Sequence, residues 1–283
     1  RRIGDFHFDH GAQFFTAKSD EFKDFVSLLL RKNIIERWDA RFAEYNGSKI
    51  IHKHKWKIEY PHYVGVPSMN AIGKFLSNNL DIKLNTKIVK ISSENNNWKI
   101  FDDKKNFQGN YDWIIFAIPP KQVIDFIPNK FKYFNEVNDI NMLGCYSLLL
   151  GYDKQIEFPF DAGLIRGAKI SWISINSSKP SRLKNFTMVI NSTNKWADEN
   201  INLPNGHVKD FILNETSNVL NYDLSNAKII DLQRWKYANI PRQELQKPFI
   251  DKKNRLAASG DWCTQGRLEF AYLNSKKIIE KII

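Results

Sequence analysis

Apolar residues fall at helical spacing early in the chain, where Phe22, Phe25, Val26 and Leu29 share one face. Ser19 is placed to cap that helix, Asp20 and Glu21 suit its first turn, and Arg31 and Lys32 close it before Asn33. A second helix is predicted from Pro67 and Ser68, with Met69, Ile72, Phe75 and Leu76 inward, ending at Asn78 and Asn79. A third follows Pro204 and sets Val208, Phe211, Ile212, Glu215 and Val219 along one face. The last begins near Gly266, with Leu268, Ala271, Tyr272, Ser275, Ile278, Ile279 and Ile282 inward.

Strands are predicted over residues 3–8, as short pieces around an Asn46-Gly47 hairpin within 38–56, and over 81–84. A meander of 87–92, 98–102 and 113–118 follows, linked by polar 94–97 and 103–106. Its last member is continuously apolar, as when both faces are covered, and Pro119-Pro120 ends it. Further strands are predicted at 143–152, 168–175, 186–191, 228–237 and 256–259. No internal repeat is visible. Strand and helix at both ends with a sheet-rich middle read as α/β with an inserted α+β domain.

With 283 residues, 42% hydrophobic and 26% charged, the chain suits a soluble protein of one large or two medium domains. No apolar run approaches the roughly 18 residues that span a bilayer. A net charge of +11 raises the question of nucleic acid. The lysines alternate with Asp and Glu, however, and Asn, Ile and Lys are all abundant, so the charge reads as compositional bias. It can still attract an anionic dinucleotide. The two cysteines, Cys145 and Cys263, exclude a disulfide scaffold and a cysteine zinc cluster, and a reducing, cytoplasmic setting is expected. The chain enters at Arg1 directly on a patterned segment with no signal-peptide pattern, and is expected to be a fragment.

Chemistry concentrates in two places. Ala257-Ala-Ser-Gly-Asp-Trp262 runs as a strand through small residues into a turn, and a helix starts after Gly266. Unpaired amides at such a helix start attract anions, and Asp261 can accept a ribose or ribityl hydroxyl. The same residues also suit a simple capped turn. The second place is Phe8-Asp-His-Gly-Ala-Gln-Phe-Phe15, where Gly11 and Ala12 permit close approach and Gln13, Phe14 and Phe15 offer polar and flat surface. His7 and His10 lack a companion ligand set for a metal, and His52, His54 and His62 read as surface or turn residues. No Gly-x-Ser-x-Gly, Walker-type loop, His-Glu-x-x-His or Gly-x-Gly-x-x-Gly occurs.

The set FDHGAQFF, Val66-Pro67-Ser68-Met69, Phe116-Ala-Ile-Pro-Pro120, Phe158-Pro-Phe-Asp-Ala162, Trp172 with Asn176-Ser-Ser-Lys-Pro180, Arg234-Trp-Lys-Tyr237, and Gly260-Asp-Trp-Cys with Gly266-Arg-Leu-Glu269 resembles, in order, the renalase-like branch of the FAD-dependent amine oxidase superfamily. The resemblance implies an incomplete Rossmann-type FAD domain (1–15, 66–130 and 246–283, lacking its first βαβ unit). It implies too an inserted α+β substrate domain on a mixed sheet (16–65 and 131–245). A chain without the Gly-rich opening is expected to hold FAD poorly. Carried over by position, Asp9, His10, Gly11, Ala12 and Gln13 would line the isoalloxazine, Val89 the adenine end, and Gly260, Asp261 and Trp262 the ribityl and pyrophosphate. Gly266, Arg267 and Leu268 would lie beside the flavin. Phe15, Trp172, Asn176, Ser177, Lys179, Trp235 and Tyr237 would face the substrate, although Lys179 reads as an ordinary surface lysine unless a phosphate comes near it.

Three functions follow in order of expectation. The first is hydride transfer from a reduced nicotinamide-type (dihydronicotinamide) compound, with oxygen as acceptor. The second is oxidation of a small amine. The third is a non-enzymatic basic protein on nucleic acid. In the first two the flavin carries the redox step, so no strong protein acid or base is required.

Overall fold

The computed structural model describes residues 1–94 and 97–283. Asn95 and Asn96, in the predicted polar link after Glu94, lie outside the described residues. The chain divides into two compact units, Arg1–Asn78 with Leu143–Ala238 and Asn79–Met142 with Asn239–Ile283.

The first unit is built on a seven-stranded sheet in the order Ile229–Asn239, Leu143–Tyr152, Phe186–Ser192, Ile170–Ile175, Ala162–Arg166, Arg41–Asn46, Lys49–Lys55. Ala162–Arg166 runs parallel to Arg41–Asn46 while the pairs Leu143–Tyr152 with Phe186–Ser192 and Ile170–Ile175 with Phe186–Ser192 are antiparallel, so the sheet is mixed. The alternation of Leu143–Tyr152 decides which residues meet what. Tyr146, Leu148 and Leu150 join the core that includes Val208 and Ile212 of the helix Asn205–Leu220. Leu149 points the other way, onto Phe6 and Phe8. Ser147 shares that second face. Gly151 is required there, because an added Cβ would stand 2.6 Å from Phe6 Cδ1. Each fully buried Leu of this strand contributes about 1.5–3 kcal/mol.

The first helix, Asp20–Arg31, forms as predicted: Ser19 Oγ accepts from the Phe22 amide at 3.4 Å and Phe22, Val26 and Leu29 are buried. The Asn46-Gly47 hairpin also forms, with Gly47 at φ +57. Residues 3–8 differ from expectation. Gly4 at φ +54 folds them into a two-residue hairpin, Arg2–Ile3 against Phe6–His7. The helix predicted from Pro67 is only Ala71–Ser77, and Leu76 is exposed because the helix docks on Ala71 and Ile72.

In the second unit, Ile88–Glu94, Asn97–Asp102 and Phe107–Tyr111 form an antiparallel sheet. The third member is therefore 107–111 and not 113–118, as the pattern had suggested. Ile114–Phe116 pairs instead, in parallel, with Leu256–Ala258, which also pairs with Phe249–Asp251. Ile115 is 41% exposed, so this strand is not covered on both faces. Residues 81–84 form no strand. Among the described residues they have no ladder partner, and Ile82 and Leu84 are exposed. Pro120 opens a short helix, Pro120–Ile124.

The final helix, Leu268–Ile282, buries Glu269, Asn274 and Ile278, whereas Leu268 and Ile279 of the predicted inner face are exposed. It docks through a polar contact: Asn274 Nδ2 donates to Gly260 O and to Thr264 Oγ1, both at 3.2 Å.

Candidate functional site

In the first unit the segment 8–13 has no regular structure, and its backbone is held by side chains. The Asp9 amide donates to Asn176 Oδ1 at 3.2 Å. Gln13 Nε2 donates to the carbonyls of Asp9 (2.6 Å) and Gly11 (3.0 Å). The His10 carbonyl accepts from Trp235 Nε1 at 3.0 Å and Ser147 Oγ at 3.1 Å. The His10 ring stacks on Trp235 with centroids 5.2 Å apart. Gln13 holds the segment locally, and Asn176, Ser147 and Trp235, more than a hundred positions away, fix the rest of it.

The Asp9 carboxylate is the hub of a buried ionic cluster. Its Oδ1 accepts from the Met69 amide at 3.0 Å. Its Oδ2 accepts from Arg182 Nη2 at 2.7 Å and Nε at 3.1 Å, and from Lys179 Nζ at 3.4 Å. Lys179 Nζ also reaches Gln13 Oε1 (3.1 Å) and Asn176 Oδ1 (3.3 Å) and lies over the Trp38 ring, 5.4 Å from its centroid. The Lys179 side chain is 0% exposed, which corrects the reading of a surface lysine. A lysine is buried here because a carboxylate and two amide oxygens solvate its ammonium. Three segments separate in sequence, 9–13, 66–70 and 176–182, are thereby pinned together.

Burial alone would raise the Asp9 pKa, but Lys179, Arg182 and the Met69 amide outweigh it and hold the carboxyl below its usual range. Burial pulls Lys179 down to about 8, against the attraction of Asp9 and with the help of Arg182. Burial likewise lowers His10, with Arg1 adding to the effect. At neutral pH the cluster of one carboxylate and two cations carries one excess positive charge.

The sign of the pH dependence follows from Lys179. Its folded pKa of about 8 lies below the unfolded value, roughly 10.4. Between the two the unfolded chain binds more protons, so this group makes stability rise with pH. Denaturant unfolding of the wild type and of Lys179→Met from pH 7 to 9.5 is expected to show that rise in the wild type and its absence in the variant. Parallel profiles would contradict a titrating Lys179.

A cavity of about 460 Å³ opens on this segment, walled by His7 to Ala12, Pro67 to Asn70, Asn176, Arg1, Arg2, Lys74 and Arg182. Its size falls within the roughly 300–1,000 Å³ of ligand sites. Among the described residues His7 Nε2 and His10 Nδ1 are buried without a partner. A Cβ added to Gly11 would meet only Trp235 Cζ2, at 4.0 Å, so a flat ligand can approach this backbone closely.

The other predicted residues of this unit, Phe15, Trp172, Ser177, Trp235 and Tyr237, are not part of the cavity wall. Trp235 adjoins the segment, and Tyr237 is half-buried two positions along the same strand. Phe15 is buried and bridges to Tyr63. Ser177 Oγ accepts from the Thr187 amide at 3.2 Å. Trp172 belongs to an aromatic group in which its ring lies 5.5 Å from Phe14, Phe14 lies 5.0 Å from Trp56, and Trp56 stacks on His62 at 3.6 Å. Among the described residues Trp172 Nε1 and His62 Nδ1 are buried without partners.

In the second unit, Leu256–Ala258 leads into a turn at Asp261–Cys263, and the Gly266 amide donates to Asp261 O at 3.1 Å. Gly266 has φ +66, a conformation that favours glycine. Burial raises the Asp261 pKa. Trp262 is 3% exposed, stacks on Phe249 and donates through Nε1 to Ile118 O at 3.1 Å. Gly260 is small for a reason the sequence hid. A Cβ there would stand 2.5 Å from Trp262 Cδ1 and Nε1. Arg267 and Leu268 are exposed at the helix start, and Val89 is exposed in Ile88–Glu94.

Residues 18–276 match the family model described as flavin containing amine oxidoreductase. The chain belongs to that family. The cofactor of the family is FAD. Similar structures include a putative protoporphyrinogen oxidase from Exiguobacterium sp. 255-15 (14% identity, TM-score 0.62, 78% of this chain and 52% of that one). They also include putrescine oxidase bound to putrescine (12%, 0.56, 79% and 54%) and a triple mutant of putrescine oxidase (9%, 0.67, 96% and 90%). The chain thus spans about half the length of the first two. At such identities the likeness is one of fold, and the mixed α/β architecture with a large mixed sheet agrees with it. The matched span includes the Asp261 turn and begins after the Gly11 segment.

The sequence reading missed Arg182, Ser147 and Asn274. Arg182 stands three positions after Lys179 and was within reach of the Asn176-to-Pro180 motif. Ser147 and Asn274 leave no local signal, being polar residues within a strand and a helix. Among the described residues no group of three or more His, Cys, Asp or Glu is placed to hold a metal, and no helix is long and apolar enough to cross a membrane.

Proposed function

We propose that this protein is a renalase-like member of the family, one that takes hydride from a reduced nicotinamide-type substrate and delivers the electrons to oxygen. The observation that carries this reading is the charge of the cavity wall. Arg2 and Lys74 line it with Arg182 beside them, Arg1 on the same wall is paired with Asp231, and the wall's carboxylate, Asp9, is already neutralised. A phosphate-bearing dinucleotide suits such a wall, and a protonated diamine is repelled by it.

The bound flavin supplies the two-electron chemistry. For the chain's own residues, the roles are to hold and to orient. The open backbone of Asp9 to Gln13 suits the flat ring of the cofactor, and Gly260 with Asp261 suits its ribityl and phosphate portion. Within the second unit, Gly266, Arg267 and Leu268 at the helix start, and Val89, are the other proposed cofactor residues. Trp235, stacked on His10, and Tyr237 offer apolar surface on which a donor ring packs, with Phe15, Trp172 and Ser177 further from the cavity. Asn176 and Lys179 act from behind the wall, through Asp9 and Gln13. With His10 lowered by burial and Asp9 ion-paired, neither is a strong base at neutral pH.

A small amine as substrate is the second reading. The aromatic group of Phe14, Trp56, His62 and Trp172 favours it, since clustered ring faces attract a cation. Stopped-flow measurement of flavin bleaching in the full-length protein separates the two. Rapid bleaching is expected with at least one dihydronicotinamide isomer and none with putrescine. Bleaching by putrescine alone would replace the first reading with the second, and a preparation that takes up no FAD would remove both.

A further inference from the structure

The seven-stranded sheet covers one end of its second face and leaves the other end more open. Phe6 and Phe8 lie on Leu149 and Val189, which are fully buried. Two positions along from these come Ser147 and Asn191, and Asn191 is partly exposed. The register sets a row across the sheet at this level: Glu44, Leu164, Trp172, Asn191 and Ser147, each paired with the next. Cross-strand partners have Cβ atoms about 4.5–5.5 Å apart, so the Asn191 carboxamide and the Trp172 indole stand side by side.

A bulge puts Trp172 there. Ile170 pairs with Ser192 and Trp172 with Asn191, which leaves Ser171 as an extra residue. In unbroken register Trp172 would pair with Ile190 and enter the core that holds Ile170 and Ile190. The bulge re-aims it to the face that carries Asn191. Trp235 stands on the opposite side of Asn191. Its strand, Ile229–Asn239, borders Leu143–Tyr152 on the edge away from Phe186–Ser192, and its Nε1 donates to the His10 carbonyl that Ser147 Oγ also reaches.

Ser147 orients the amide. Its Oγ lies 3.0 Å from Asn191 Oδ1, a contact that commits one end of the planar carboxamide and turns the other end away from Ser147. A ligand carboxamide carries both a donor and an acceptor, so it complements whichever end meets it. The row offers no such partner to an ammonium group, because its one carboxylate, Glu44, is held by Arg166.

We propose that Asn191, oriented by Ser147 and flanked by Trp172 and Trp235, is the residue that selects a planar ring bearing a carboxamide. The inference rests on the nicotinamide reading above for the choice of ring, and on the sheet register for the residue.

Two pyridinium salts that donate no hydride, 1-methylnicotinamide and 1-methylpyridinium, are titrated into the full-length protein with and without added FAD, and binding is followed by quenching of tryptophan fluorescence. Both carry the same charge, and only the first has the carboxamide. The preference of the wild type for 1-methylnicotinamide is expected to fall about fivefold in Asn191→Leu, the worth of one neutral hydrogen bond, with Tm and the affinity for 1-methylpyridinium unchanged. An equal preference in both proteins, or no binding of either salt, overturns the assignment. Should the variant fail to fold, the ¹⁵N–¹H spectrum of the wild type decides: the Asn191 side-chain signals are expected to shift more with 1-methylnicotinamide than with 1-methylpyridinium, and equal shifts overturn it. A carboxamide preference lost in the variant, without flavin bleaching by any dihydronicotinamide, leaves Asn191 in its role and removes the hydride step. Bleaching without that preference removes Asn191 and leaves the hydride step.

Discussion

Asp9→Ala is expected to cost about 3–5 kcal/mol of stability, because removing one partner of a buried ion cluster leaves the others uncompensated. Lys179 and Arg182 side chains are 0% and 3% exposed, so both cations would be left close together without that counter-ion. The Met69 amide would lose its acceptor as well, and with it the tie between segments 9–13 and 66–70. For a protein of this size a loss of that order lowers Tm by roughly 10 °C. The effect has a sign in pH. The depressed Asp9 pKa contributes stability that is present above the unfolded value, about 3.9, and lost as pH falls through the folded one. The gap between wild type and variant should therefore close in acid. Denaturant midpoints from pH 3 to 7 check both points, and a variant as stable as the wild type at pH 7 would refute the cluster's role.

Gly260→Ala is the second large effect, and it acts in the other unit. The backbone there, at φ 175, is extended and accepts any residue, so the penalty is steric. A methyl 2.5 Å from the Trp262 ring forces the indole off Phe249 or breaks its bond to Ile118 O. Overpacking costs about 1–3 kcal/mol, and an orphaned buried carbonyl adds about 1–3 more. The turn carrying Asp261 would move with it, because Asn274 ties Gly260 O to Thr264. The expected result is a red-shifted tryptophan emission, a lower unfolding midpoint and loss of bound flavin. Unaltered emission with full flavin content would show that the turn tolerates the methyl and that Gly260 answers to something else.

Legibility varied with the range of the interactions involved. Ser19 and the apolar face behind it specify Asp20–Arg31 within a dozen residues, and Asn46-Gly47 specifies its hairpin within a few. The stretch 113–118 could not be placed from its own pattern. A short apolar run pairs with whichever strand the topology brings alongside, and Leu256–Ala258 is about 140 positions away. Residues 81–84 carry strand-like alternation but no partner, and a lone strand cannot satisfy its backbone groups with another chain segment. The final helix misled in another way. Its apolar positions suggested a greasy inner face, while a buried asparagine sets its docking.

Sequence by itself determined the family, and it singled out residues 9–13 and 260–266 as candidates for binding. It determined the capped helix and the tight hairpin too, since capping and turn formation involve neighbours in the chain. Only the tertiary structure decided that Lys179 is buried on Asp9 and that Gly260 makes room for Trp262. Each of these depends on which atoms fill the few ångströms around a group. Between Asp9 and Lys179 that neighbourhood is assembled across 170 residues of chain, so no local pattern encodes it.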